Sequence, residues 1–186
     1  MSTARAIRAP QHGPYPIGLL TVLVTVAMLF SAFTAALLLR RTASDWIPIT
    51  WPPLVWVNTA ILLASSVALE QARRAARIGR NESVLNWISI GAVLGLAFVA
   101  GQLALWRALG NGGVFLASGP HAAFVYLLTG THAVHVVGGI GGLSWAFARA
   151  QRGGFSASHD GLSSVIVYWH FVGIVWLWLF ALLSAL

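Results

Sequence analysis

The sequence predicts an all-α membrane protein, a polytopic bundle of five transmembrane helices, and three observations carry that prediction. Of its 186 residues, 58% are hydrophobic and 8% charged, against about a quarter charged in a water-soluble domain. Mean hydropathy is +0.81. Five apolar runs, at about 16–39, 54–76, 84–108, 121–148 and 162–185, reach the roughly 20 residues that a helix needs to cross about 30 Å of hydrocarbon. They make residues 1–186 a single transmembrane domain, with no run left over for a soluble one.

The first span is too long for the apolar core of a signal peptide and lacks a clear small-residue cleavage site, so it reads as retained. Pro48, Pro52 and Pro53 close the connection after it. The second span carries Ala64, Ser65, Ser66 and Ala68, and Asn81 is placed to cap the third, which bears Gly91 and Gly95 at small-xxx-small spacing. Gly110 to Gly113 and Pro120 break the chain before the fourth span, with its Gly138, Gly139, Gly141 and Gly142, and Gly153-Gly154 open the last loop. In lipid there is little hydrophobic drive between helices, so small residues that admit close approach are the expected packing faces.

All eleven basic residues are arginine, and the formal charge is +7. They sit at the ends of the apolar runs, where they meet headgroups, and form no stripe that could track a phosphate backbone; no nucleic-acid partner is expected. Arg5, Arg8, Arg73, Arg74, Arg77, Arg80, Arg149 and Arg152 fall on one side, Arg40, Arg41 and Arg107 on the other. The positive-inside rule puts the N-terminus in the cytoplasm and the C-terminus outside. Arg40, Arg41, Arg73 and Arg74 are candidate lipid-headgroup contacts.

The absence of cysteine excludes disulfides, thiolate metal sites and a thiol nucleophile. Asp45, Glu70, Glu82 and Asp160 read as lying at or beyond span ends, which argues against a pump or carrier, whose relay carboxylates are buried. No phosphate cradle, catalytic triad or inverted repeat is visible, so no catalytic residue is assigned. Gln102, His132, His135 and His170 are the costly polar groups within spans. His132 and His135 share a face near the midplane, and His170 lies level with them if the last two helices are neighbours. Two readings follow: haem or metal ligation by His170 and one of the pair, or a buried network in which each neutral imidazole bonds the next helix.

Trp46, Trp51, Trp56, Trp87 and Trp106 fall near predicted interfaces, where the aromatic belt accounts for them. Trp169, Trp176 and Trp178 instead lie inside the fifth span, with Trp169 and Trp176 on one face. So dense an aromatic helix points to specified protein packing.

The run Tyr168-Trp169-His170-Phe171-Val172, followed by Ile174-Val175-Trp176-Leu177, closely resembles the YWHFVDVVW motif of the cytochrome c oxidase subunit III family. Thr129-Gly130-Thr131-His132-Ala133-Val134-His135-Val136 with Gly139 is similar to its TGxHGLHVxxG, and Asn58-Thr59 with Leu62-Leu63-Ala64-Ser65-Ser66 to its NTxxLLxSS; Gln102 fits the glutamine of the span between. The resemblance covers about residues 16–186, in the five-helix short form of the family. It implies an accessory subunit without haem or copper of its own, packed beside catalytic subunit I of a respiratory oxidase in the bacterial inner membrane. Subunit II and phospholipid are further partners, haem and copper belong to the partner subunits, and His132, His135, Trp169, His170, Trp176 and Gln102 are structural core residues. A homologue associated with nitric oxide reductase would share every motif; a small haem b anchor is the rival of another class. In the family the subunit also helps sustain proton uptake; Val26, Leu105 and Gly173 stand where it has carboxylates, a departure that leaves the scaffold role intact and the proton-uptake role open.

Overall fold

A computed structural model describes residues 17–42, 44–46, 49–152 and 160–185. Arg5, Arg8, Pro48 and Gly153-Gly154 lie outside the described residues. Five helices run in order: α1 (Ile17–Arg40), α2 (Leu54–Arg77), α3 (Asn81–Asn111), α4 (Pro120–Gln151) and α5 (Asp160–Ser184). All five are long and apolar enough to cross a membrane, and no strand occurs among the described residues.

α3 and α4, at 31 and 32 residues, outrun their apolar segments because polar ends such as Asn81-Glu82-Ser83 stay helical. Asn81 is not a cap: Arg80 holds that position, without a side-chain capping bond, and Asn81 is the first helical residue. The turn before it is too tight to leave room for a separate cap. Gly79 adopts φ +70°, its N–H bonds the Ala76 carbonyl at 3.1 Å, and the Arg80 N–H bonds the Ala75 carbonyl at 3.1 Å. This Schellman arrangement satisfies the last carbonyls of α2 and needs glycine at the left-handed residue. Pro120 opens α4 in its first turn, where a missing N–H leaves no helical bond unmade.

α2, α3, α4 and α5 form a ring in which each packs on the next and α5 closes on α2; α1 lies outside, against α4 and α5 and away from α2 and α3. The α2–α3 pair makes the most extensive contact. A Cβ on Gly91 would come within 2.5 Å of the Leu69 side chain, and the Ser65 hydroxyl donates to the Gly91 carbonyl at 2.9 Å. The ring core includes Leu62, Leu69, Ile88, Phe98, Leu105, Val136, Leu143, Ile166, Trp169 and Trp176. A second cluster joins α1 through Val26, Phe30 and Leu37 to Val125, Leu128, Val175 and Leu179.

Candidate functional site

The centre of the ring is built on α5. Trp169 and Trp176, seven residues apart and therefore on one helix face, are each 1% exposed. The Trp169 indole is held between two backbones. A Cβ on Gly95 of α3 would lie 2.5 Å from its six-membered ring, and one on Gly139 of α4 would lie 2.9 Å from it. Glycine at both positions admits the largest side chain where three helices meet. Gly142 stands 3.4 Å from Val165 by the same measure, whereas Gly141 faces open space. The small-residue pattern of α4 thus splits into a packing face and a lipid- or partner-facing one.

About two turns beyond Trp169 along α5, Trp176 donates to the Thr59 hydroxyl of α2 at 3.0 Å, and Thr59 donates to the Val55 carbonyl at 2.8 Å. The indole also lies beside His132 (ring centroids 5.2 Å apart) and edge-on to Phe98 (5.0 Å). Phe98 and Phe30 stand edge-on to His132 at 6.0 and 6.4 Å. His132 is 1% exposed and neither ring nitrogen has a hydrogen-bond partner among the described residues. The expected hydrogen bond to the next helix is therefore replaced by an aromatic cage. Gln102 and Asn58 are equally buried and their amides have no such partner either; Asn58 packs on Gly101, where a Cβ would overlap its side-chain oxygen.

His135 is half-buried, with Nδ1 2.8 Å from the carbonyl of Thr131 on its own helix and its ring 5.6 Å from Phe30. The Tyr168 hydroxyl bonds the His135 carbonyl at 3.1 Å, tying α5 to α4. Trp178 turns outward and donates to Thr34 of α1 at 3.3 Å. Trp106 donates to Thr129 (3.0 Å), Trp51 to the Leu183 carbonyl (3.3 Å), and Trp46 stacks on His121 at 4.6 Å. These three have partners more specific than a lipid interface.

His170 does not join His132 and His135. It faces α2, with Nε2 3.9 Å from the Glu70 carboxylate. Glu70 lies not at the end of the second span but two turns inside α2, paired with Arg73 at 2.8 Å and Arg74 at 3.7 Å. Counting apolar residues passed over it; the acid three and four residues before two arginines was the signal that an intrahelical ion pair could carry it into the span. Of the other headgroup candidates, Arg40 is bonded by Asp45 at 2.7 Å and Arg41 is exposed at the end of α1. The positions where the family carboxylates would stand, Val26, Leu105 and Gly173, are buried.

No group of three or more histidines and acids placed to hold a metal occurs among the described residues. His132 is enclosed by rings while His170 looks across to Glu70, so the two do not face each other as the axial ligands of one haem would. What this bundle defines is a polytopic α-helical membrane protein whose buried polar and aromatic side chains join helix to helix.

Comparison with known proteins gives that class its family. The chain belongs to the cytochrome c oxidase subunit III family, whose model matches residues 16–185. Relatives include the Cytochrome c oxidase subunit 3 of Synechocystis sp., 35% identical over 176 residues that cover 91% of this chain and 74% of that one. That of Thermostichus vulcanus is 31% identical over 196 residues, covering 99% and 94%. The Probable cytochrome c oxidase subunit 3 of Nocardia farcinica is 30% identical over 174 residues, covering 89% and 84%.

Proposed function

We propose that this chain is the accessory third subunit of a respiratory haem-copper terminal oxidase in a bacterial cytoplasmic membrane, where it buttresses catalytic subunit I and holds phospholipid at the interface. Subunit II completes the set of partners. Electrons from cytochrome c or quinol would reduce dioxygen at the haem and copper of those partners, and this chain would contribute a rigid surface. The observation that best supports a scaffold is the clamp on Trp169. The motif that carries the family likeness supplies Tyr168, Trp169 and Trp176, the side chains that join α5 to α4, α3 and α2.

The excess of arginine on the side of residues 73–80 and 149–152 supports an N-terminus in the cytoplasm. Arg41 and Arg74, the more exposed of the four candidate residues, are the better placed for lipid phosphates, because Asp45 engages Arg40 and Glu70 engages Arg73. Native electrophoresis of detergent-solubilised membranes, with mass spectrometry of the co-migrating chains, tests the assignment. Oxidase subunits I and II are the expected companions. Purified alone, the chain should be colourless; a Soret band at one haem per chain that vanishes in His170→Ala would overturn the reading in favour of a haem anchor.

A further inference from the structure

Among the described residues, the lateral surface of the bundle carries one charged patch at hydrocarbon depth, around Glu70 and His170. Of the four acids, Asp45 lies in a connection, Glu82 is the second residue of α3 and Asp160 the first of α5; Glu70 alone lies away from a helix end. α2 has 24 residues and is about 36 Å long, so when it is centred in a core of about 30 Å, Glu70 sits about 8 Å inside the boundary. His170, its neighbour, is two residues from the midpoint of α5. Neither is enclosed: the side chains of His170, Arg73 and Glu70 are 34%, 28% and 25% exposed, and that of Arg74 is 66% exposed.

Arg74 is long enough to carry its charge toward the headgroups, but Glu70 and His170 are too short and too deep to follow. Against acyl chains they would face hydrocarbon with polar atoms that nothing there can solvate. Glu70 is the one carboxylate of the patch and is shared by Arg73, Arg74 and His170, which leaves N–H donors at that depth for an acceptor from outside. Around it the surface is apolar, with Val67 and Ile174 61% and 64% exposed. Gly173 of α5 faces Ser66 of α2, a Cβ there being in ordinary contact with the hydroxyl at 3.6 Å, so the two helices present a continuous seam.

We infer that the α2–α5 seam around Glu70 and His170 is the face that docks onto a transmembrane helix of another oxidase subunit, one that brings a hydrogen-bond acceptor, such as a carboxylate, to the depth of Arg73. The inference rests on the assignment of the chain to an oxidase complex and adds which surface meets the partner. Lipid, in contrast, suits the α3–α4 side, where Val93 and Val137 are exposed by 64% and 56% and the ion pairs among the described residues all lie elsewhere.

Photoreactive benzoylphenylalanine placed singly at Val67, Ile174, Val93 or Val137, with the complex irradiated in native membranes, tests this without disturbing a buried residue. Polypeptide adducts with another oxidase subunit are expected from the first two positions and not from the last two. Lipid adducts alone from Val67 and Ile174, adducts with a second copy of this chain, or subunit adducts from Val93 and Val137 only would overturn the docking face while leaving the oxidase assignment standing. If no oxidase subunit co-purifies, both fall. A second measurement uses the paired substitution Glu70→Leu with Arg73→Leu, which suits lipid better than the native pair. Recovery of the chain with the oxidase should drop about threefold or more, with the thermal stability of the isolated chain unchanged or raised; undiminished recovery would overturn the inference.

Discussion

α1 and α5 are nearly the same helix by composition and quite different by position. Their most apolar windows have hydropathies of 2.5 and 2.1, yet 17% of the first is buried inside the protein and 44% of the second. α1 touches the rest through one stripe, Val26, Phe30, Thr34 and Leu37, spaced three and four residues apart. α5 is engaged on the sides facing α2, α4 and α1. In water the more apolar helix would take the centre. In a bilayer its apolar surface is already content in lipid, and the centre goes to the helix with large side chains that match glycines on its neighbours.

The sharpest way to break that contrast is to fill the glycine clamp. Gly95→Leu and Gly139→Leu each force new atoms into the Trp169 indole, which is 1% exposed and has little room to retreat. Each should lower stability in detergent by about 3 kcal/mol or more. Gly141→Leu, two residues away and facing open space, should change it by less than about 0.5 kcal/mol. Equal losses from Gly139→Leu and Gly141→Leu would show that helix propensity, not the clamp, governs α4.

Phe30→Ala asks the same of α1. A buried Phe→Ala change costs about 3–5 kcal/mol in a soluble core, but part of that is hydrophobic transfer, which lipid restores, so about 2 kcal/mol is expected here. The loss should also be local. The chain has no cysteine, so alkylation of a single introduced thiol reports each region. Val26→Cys should react faster in the Phe30→Ala background and Leu62→Cys should not; acceleration at both would make α1 part of the ring's cooperative unit.

How much of this was legible beforehand follows from the same physics. Hydropathy marks where a helix can cross, and all five spans are where the apolar runs put them. It says nothing about which helix is central, so the outer place of α1 was invisible. The glycines at 91 and 95 were readable as a packing face, and Trp169 and Trp176 as buried; that Trp169 lies between Gly95 and Gly139 required the relative height of three helices, which no local pattern encodes. His132 was readable as buried, but a polar residue invites the assumption of a polar partner, and its cage comes from Phe30, Phe98 and Trp176 on three other helices. Glu70 was missed because a carboxylate was taken to mark a span's end, although the arginines that let it sit inside are its own i+3 and i+4 neighbours.

Within the ring, Trp176→Phe separates shape from hydrogen bonding. It keeps an aromatic ring against His132 and Phe98 but removes the bond to Thr59, so a loss of about 1 kcal/mol is expected. His132→Phe probes the adjoining ring and should cost less still. Because no hydrogen bond from its nitrogens to a described residue is broken, a phenyl ring of similar size should be neutral or stabilising by up to about 1 kcal/mol, since a buried imidazole no longer has to be desolvated. A loss of 2 kcal/mol or more, at the upper end of about 1–3 for an orphaned buried partner, would mean that His132 is bonded after all and that the cage is not what holds α4 in place.

The smallest effect belongs to the end of α1, where Arg40 reaches across the turn to Asp45. The guanidinium, bonded to both carboxylate oxygens, holds Asp45 below the usual carboxylate range, with desolvation opposing more weakly. Since the folded value is the lower one, the stabilisation is complete above the ordinary carboxylate pKa and disappears as pH falls through the folded value. Asp45→Asn should therefore unfold at a slightly lower temperature than the parent at pH 7, and the two curves should converge below about pH 3. Both side chains are exposed, so the gap should shrink further in high salt. A gap that widened on acidification would reverse the sign of the linkage and assign the variant's defect to the turn backbone instead. A gap at neutral pH as large as that of Phe30→Ala would show that α1 is fastened at its end as firmly as along its packed stripe.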